Sequence, residues 1–142
     1  MDYEAYRKKY FVDPQPDPKY GYIGLYGITL FFEDYEEAIR YYQKVLGPPA
    51  YVEGSSTRGW RLGDTWLTLL RGSAGSPQNV ELMLVMDSPQ EAERMQQAFI
   101  TAGGEGPESQ DALMYEPVRV CPVRDPFGTQ IMIYSLIEAD RS

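Results

Sequence analysis

The sequence contains an internal repeat. The segment Glu37–Arg40 (EAIR) recurs 54 positions later as Glu91–Arg94 (EAER). Each copy follows an apolar run typical of a strand, residues 28–32 in one half and 82–86 in the other, and each is followed by a helical stretch that ends at glycine. Because similarity at a fixed period reflects a repeated structural unit, the chain is predicted to fold as two similar modules.

The same order of elements is predicted in both halves. The first helix starts at Asp34, where Glu37 completes a capping box, and the second starts at Ser88, with Pro89 at its first position. Strands are predicted over residues 25–32, 50–53, 58–62 and 65–71, then over 80–86, 115–123 and 129–136. Each half is therefore interpreted as βαβββ, although only two of the three later strands are located in the second half.

Residues 1–24 precede the repeat and are predicted to form a tyrosine-rich arm. Tyr3, Tyr6 and Tyr10 have helical spacing. Prolines at alternate positions of residues 13–18 then favour an extended linker, because each proline fixes its own φ and restricts the residue before it. Such an arm packs either on its own domain or on a neighbour.

Composition excludes several classes of partner. Thirteen basic and 21 acidic residues give a net charge of −8, which argues against nucleic acid and against an anionic membrane surface. No apolar run is long enough to span a membrane, and the acidic N-terminus does not resemble a signal peptide. Cys121 is the only cysteine and is expected to pack as a small hydrophobic residue. The predicted location is the cytoplasm.

A duplicated βαβββ unit resembles the vicinal oxygen chelate superfamily, which includes glyoxalase I, bleomycin resistance proteins and extradiol dioxygenases. The segments that carry the resemblance are Phe32–Gly47 (FEDYEEAIRYYQKVLG) and Arg124–Ile131 (RDPFGTQI). The resemblance implies an α+β, glyoxalase-like fold over residues 25–137, with modules at about 25–71 and 80–137 whose curved mixed sheets form a trough. It also implies a small-molecule ligand in the trough and a homodimer.

Enzymes of this superfamily hold a metal ion with side chains from the trough. The resemblance places the four ligand positions at Gly27, Thr68, Glu81 and Met132, and only Glu81 among them could bind a hard divalent ion. Gln130 is a further oxygen donor, two residues from the expected position. The sequence contains no histidine, so we expect neither a metal site nor another cofactor.

Strand alternation predicts which side chains line the trough. One apolar set should pack under the helices: Ile28, Leu30, Phe32, Leu67, Leu69, Leu82, Leu84, Met86, Ile131 and Ile133. The opposite set, together with two large polar or aromatic side chains from other strands, gives the predicted ligand-binding residues: Thr29, Phe31, Trp60, Trp66, Thr68, Glu81, Met83, Arg119, Gln130, Met132 and Tyr134.

Two of these residues leave alternatives open. A desolvated carboxylate needs a partner, so Glu81 is expected to meet Arg119, Arg58, water or a ligand cation. Arg119 is either paired with an acid or available to an anionic ligand group. The leading functional hypothesis is a metal-independent protein that binds a small aromatic or cationic molecule. The alternatives are a metal-dependent or acid–base enzyme of the same superfamily, or a non-catalytic interaction module.

Overall fold

The computed structural model describes residues 1–19, 25–72 and 80–138. Three helices and eight strands follow one another along this part of the chain. Their order is α1 (Tyr3–Tyr10), β1 (Gly27–Phe32), α2 (Tyr35–Leu46), β2 (Tyr51–Glu53), β3 (Thr57–Leu62), β4 (Thr65–Arg71), β5 (Glu81–Met86), α3 (Pro89–Thr101), β6 (Gln110–Met114), β7 (Glu116–Arg124) and β8 (Gln130–Leu136). None of the helices is both long and apolar enough to cross a membrane.

The strands form two four-stranded sheets with equivalent topology. Their strand orders are β1-β4-β3-β2 and β5-β8-β7-β6. In each sheet the strand before the helix pairs in parallel with the last strand of its half, and the remaining pairings are antiparallel. The predicted α+β fold with two βαβββ modules is therefore confirmed. We call β1–β4 with α2 the first module, and β5–β8 with α3 the second.

The two equivalent helices begin differently. The Ser88 side chain accepts a hydrogen bond from the amide of Glu91 at 3.1 Å, which is the cap that the sequence predicts. Asp34 also occupies an N-cap position, but its side chain makes no capping hydrogen bond, so that part of the prediction is wrong. Gly47 ends α2 with φ of 86°, a conformation that favours glycine.

The core lies between the sheets and the two helices. Every member of the apolar set predicted to lie under the helices belongs to this core or packs against it. Cys121 is fully buried there, as expected, and burial raises the pKa of its thiol. Aromatic side chains of α2 fill the space between the modules, since Tyr41 and Tyr42 both pack against Phe99 of α3.

Two buried hydroxyl groups of α2 join the modules. Tyr41 donates to the carbonyl of Phe99 at 2.9 Å, and Tyr42 donates to Oδ2 of Asp125 at 2.6 Å. The other oxygen of Asp125 accepts from the amides of Phe127 and Thr129, so this carboxylate also holds the turn between β7 and β8. Burial, assisted by Asp125, raises the pKa of Tyr41 to about 12 and that of Tyr42 well above its usual value. Both hydroxyl groups are therefore neutral donors at ordinary pH.

The N-terminal helix α1 docks on the corner between β6 and β7. Tyr3 donates to the carbonyl of Tyr115 at 3.0 Å, and the amide of Tyr115 donates to the hydroxyl of Tyr6 at 2.9 Å. Tyr115 has φ of 65°, which is costly for a residue with a side chain. An eight-residue helix is marginal on its own, so these contacts with the second module hold the arm in place.

Strand β6 is the element that the sequence did not locate. Residues 110–114 (QDALM) pair with β7 at the edge of the second sheet. This segment lacks both clear alternation and β-branched residues, so its strand conformation depends on pairing with β7 and not on local preference.

Replacing Tyr42 by Phe should destabilise the protein by about 2 kcal/mol, because Asp125 would lose the donor to one oxygen while its carboxylate stays buried. Urea unfolding followed by circular dichroism measures this change. Tyr10→Phe is the matched control, since Tyr10 is 63% exposed and its loss of a hydroxyl should cost less than about 0.5 kcal/mol. Equal stability of the two variants would contradict the structural role given to the Tyr42 hydroxyl.

Replacing Tyr6 by Phe should accelerate hydrogen exchange at the amide of Tyr115 roughly fivefold, because that amide would lose its acceptor. Amide exchange measured by NMR gives the rate at this one position. Tyr10→Phe again serves as the control, and it should leave the rate unchanged. An unaltered rate in Tyr6→Phe would contradict the hydrogen bond between the Tyr115 amide and the Tyr6 hydroxyl.

Candidate functional site

The candidate site lies on the side of the sheets opposite α2 and α3, which we call the trough face. Residues paired across neighbouring strands point to the same side, so the register assigns each side chain to a face. On the first module this gives one row of Thr29, Thr68, Gly59 and Tyr51, and an adjacent row of Gly27, Trp66 and Arg61.

The residues of these rows, apart from Arg61, line a cavity of about 470 Å³. The volume falls in the range of small-molecule sites in proteins. The cavity is lined by Tyr26, Gly27, Ile28, Thr29, Tyr51, Gly59, Trp66 and Thr68. Most of the lining residues are either aromatic or small, so aromatic side chains form the walls of the cavity and small residues form its floor.

Two glycines keep the floor of the cavity low. A Cβ atom at Gly59 would lie 3.3 Å from Cβ of Tyr51 and 3.4 Å from Cε3 of Trp66, so the two aromatic side chains close over this position. A Cβ atom at Gly27 would lie 2.1 Å from the carbonyl oxygen of Trp66, a distance that no side chain tolerates. Glycine therefore permits the close approach of β4 at position 27 and of the two aromatic side chains at position 59.

Trp66 provides the largest aromatic surface of the site. The Tyr51 ring meets it edge-on, with ring centroids 6.4 Å apart and planes inclined by 69°. The guanidinium of Arg61 lies 5.0 Å from the Trp66 ring centroid. The Tyr51 hydroxyl donates to Oε1 of Glu53 at 2.7 Å, and this hydrogen bond raises the pKa of Tyr51. The tyrosine ring is therefore held in position at the rim.

The polar groups of the floor are two threonine hydroxyls. Thr29 and Thr68 are register partners on β1 and β4. Within residues 1–19, 25–72 and 80–138, neither side chain makes a hydrogen bond. Both hydroxyls can therefore donate to or accept from a molecule in the cavity.

The trough face of the second module is more open and more apolar. Met83 is 53% exposed, and its register partner Met132 is half-buried beside it. Glu81 pairs in register with Gln130, and both are exposed. Tyr134 differs, because it is only 8% exposed and burial raises its pKa. It is therefore poorly placed to contact a ligand.

The two halves of the trough face meet near Trp66. A smaller cavity of about 110 Å³ is lined by Gly27 and Trp66 from the first module and by Met83 from the second, among others. Thus the predicted residues Thr29, Trp66 and Thr68 line the main cavity, and Met83 lies next to it. Phe31 is on the same face, 40% exposed, but does not line the cavity.

Two predicted ligand-binding residues lie on the other face. Trp60 is 3% exposed and donates its indole N–H to the carbonyl of Gly47 at 2.8 Å, so it belongs to the core. Arg119 bonds to Asp111 at 2.9 Å and to Glu93 of α3 at 3.3 Å. Both side chains fall on the helix-covered side because they are register partners of core-side positions. Neither can reach a ligand in the trough.

The expected pairing of Glu81 with an arginine is wrong for both candidates. Arg119 is occupied by its two acids, and Arg58 donates to the carbonyls of Gly54 and Thr57. Glu81 itself is exposed, and no residue in the described part of the chain forms an ion pair with it. Its carboxylate therefore faces solvent or a ligand.

The side chains at the superfamily's metal-ligand positions do not form a metal site. Gly27, Thr68, Glu81 and Met132 do lie on the trough face, as expected, but a glycine, a hydroxyl and a thioether accompany the single carboxylate. In the ranges that the structure describes, no group of three or more His, Cys, Asp or Glu residues could hold an ion. This donor set fits neither a catalytic zinc ion nor a hard divalent ion.

Sequence reasoning missed Tyr26, Tyr51, Gly59 and Arg61 as parts of the site. The alternation in β3, with Trp60 flanked by Gly59 and Arg61, contained the signal for two of them. Register with β4 was needed to decide which of the two sets faces the trough.

Solved structures with the same fold are numerous. A glyoxalase/bleomycin resistance protein from Albidiferax ferrireducens T118 matches with a TM-score of 0.65 and 18% identity, over 78% of this chain and 98% of the other. A glyoxalase-related enzyme from Fulvimarina pelagi matches with a TM-score of 0.63 and 18% identity, over 85% and 96%. Lactoylglutathione lyase from Agrobacterium tumefaciens matches with a TM-score of 0.62 and 14% identity, over 80% and 94%.

The predicted resemblance to the vicinal oxygen chelate superfamily is thus confirmed for the fold. No family model matches the sequence, and no curated protein matches it either. At identities of 14% to 18%, these comparisons show a shared fold.

Proposed function

We propose that this protein binds a small aromatic molecule in the cavity over Trp66, without a metal ion. The observation that carries the proposal is the cavity itself: an apolar, aromatic wall with two unbonded hydroxyls on its floor. This is the usual composition of a small-molecule site, in which apolar surface supplies affinity and a few polar groups orient the ligand. The absence of a suitable donor set at the four superfamily positions supports metal independence.

The cationic part of the predicted ligand class depends on Glu81. This carboxylate lies on the trough face of the second module, two residues from Met83, which lines the smaller cavity beside Trp66. A cation that extends from an aromatic ring in the main cavity towards the second module would approach Glu81. The aromatic ring, and not the charge, is the feature that the main cavity itself supports.

Calorimetric titration with naphthamide, a neutral aromatic probe, tests the proposed function. Trp66→Ala should weaken binding roughly tenfold, because loss of ring contact removes about 1.5 kcal/mol. Phe31→Ala is the matched control: it removes another exposed aromatic ring from the same face but outside the cavity, and it should leave affinity unchanged. Dialysis against a chelator should not alter binding.

Three results would contradict this proposal. If naphthamide does not bind, the cavity over Trp66 is not an aromatic site. If Phe31→Ala weakens binding and Trp66→Ala does not, the ligand occupies another part of the trough face. Loss of binding after chelation would instead contradict metal independence.

We also propose that the protein is a homodimer that covers the open trough face of the second module. Met83, Val85 and Leu136 are 53%, 70% and 50% exposed, and their register places all three on this face. Clustered exposed apolar side chains are typical of an interaction surface. A second copy of the chain is the partner that the superfamily resemblance implies.

The mass in solution, measured by light scattering after gel filtration, tests the homodimer. The intact chain should elute at twice its 16.2 kDa mass. Val85→Glu should shift the equilibrium to monomer, because it places a charge in the apolar patch. Val52→Glu is the control, since Val52 is 59% exposed on the edge strand β2. A monomeric intact chain would refute the homodimer.

A further inference from the structure

Arg61 is an exposed side chain next to Trp66, outside the residues that line the cavity, and part of its guanidinium is unused. It lies in the same cross-strand row as Trp66, and its Cζ atom is 5.0 Å from the centroid of that ring. Its Nε donates to the carbonyl of Gly63 at 3.0 Å. Neither terminal nitrogen, Nη1 or Nη2, has an acceptor among the described residues. The Nε hydrogen bond therefore orients the guanidinium, while the terminal nitrogens Nη1 and Nη2 remain available as donors.

Three other arginines of the strands are engaged within the chain. Arg58 donates to two backbone carbonyls, Arg71 pairs with Glu36, and Arg119 pairs with Asp111 and Glu93. The guanidinium groups of these three residues therefore stabilise the fold through contacts within the chain. Arg61 differs from these three because its one hydrogen bond among the described residues, through Nε, orients the guanidinium without consuming the pair of terminal donors.

The terminal nitrogens of a guanidinium match the two oxygens of a carboxylate. Parallel N–H donors form a bidentate pair with a carboxylate, and such charged hydrogen bonds are stronger than neutral ones. Prior orientation by the Gly63 carbonyl and the Trp66 ring lowers the entropy that binding would otherwise cost. An anion next to the aromatic wall would thus be recognised by both shape and charge.

The net charge of the chain does not prevent this recognition. The charge of −8 is distributed over the whole molecule, and at physiological salt a field is screened within about 8 Å. Glu53, a carboxylate at the rim, accepts the hydroxyl of Tyr51. The guanidinium of Arg61 is the positive group that lies over the Trp66 ring.

We propose that the ligand is an aromatic carboxylate. Its ring packs against Trp66 and Tyr51, and its carboxylate accepts hydrogen bonds from Nη1 and Nη2 of Arg61. This inference rests on the proposed function, because it uses the same cavity, and it replaces the cationic option with an anionic one. The sequence allowed a ligand cation beside Glu81, whereas the local geometry points to an anion.

Three probes that share one ring and differ only in charge test the proposal. Calorimetry at physiological salt compares naphthoate, naphthamide and naphthylmethylammonium, all of the same ring isomer. The intact protein should bind naphthoate roughly five- to tenfold more tightly than naphthamide. Arg61→Gln should abolish that preference, and Arg61→Lys should retain part of it.

Arg94→Gln is the matched control, because it removes the same charge from an exposed site on α3, on the opposite side of the sheet. It should leave the preference for naphthoate intact. Naphthamide binding without a naphthoate preference, or a preference that survives Arg61→Gln, would overturn the carboxylate proposal and leave the aromatic cavity standing. Tightest binding of the ammonium probe would also overturn it. Failure of all three probes to bind would overturn the proposed function as well.

Discussion

The structure depends on the alternation of side chains along strands that are covered by helices on one side only. In β3 this constraint gives neighbouring residues opposite environments. Trp60 is buried in the core, while Arg61 lies over the Trp66 ring on the open side. A one-residue slip of β3 against β4 would exchange the two sets and expose the core. The same pairing therefore determines both the hydrophobic core and the cavity.

Much of the fold could be predicted because local signals and the repeat agree. Both helices show recognisable starting residues and a glycine after the helical stretch, and both are preceded by an apolar strand. The side chains assigned to the helix-covered side, such as Leu82 and Ile131, pack there because β5 and β8 are register partners. A fold can be predicted from its sequence when local preferences and overall topology agree in this way.

The remainder required tertiary information. Edge strand β6 is stabilised by pairing with β7, and nothing in its own five residues favours a strand. Trp60 and Arg119 were assigned to the site for their size and charge, but their register partners place them on the core side. Conversely, the role of Gly59 could not be predicted from the sequence, because it depends on the side chains that surround this glycine.

The carboxylate of Asp125 serves both halves of the duplicated chain. One oxygen orders the β7–β8 turn of the second module, and the other receives the Tyr42 hydroxyl from the first. Unfolding of the first half would remove the Tyr42 donor from Asp125, and unfolding of the second would remove the acceptor of the Tyr42 hydroxyl. The stabilities of the two halves of this repeated chain are therefore coupled through one carboxylate.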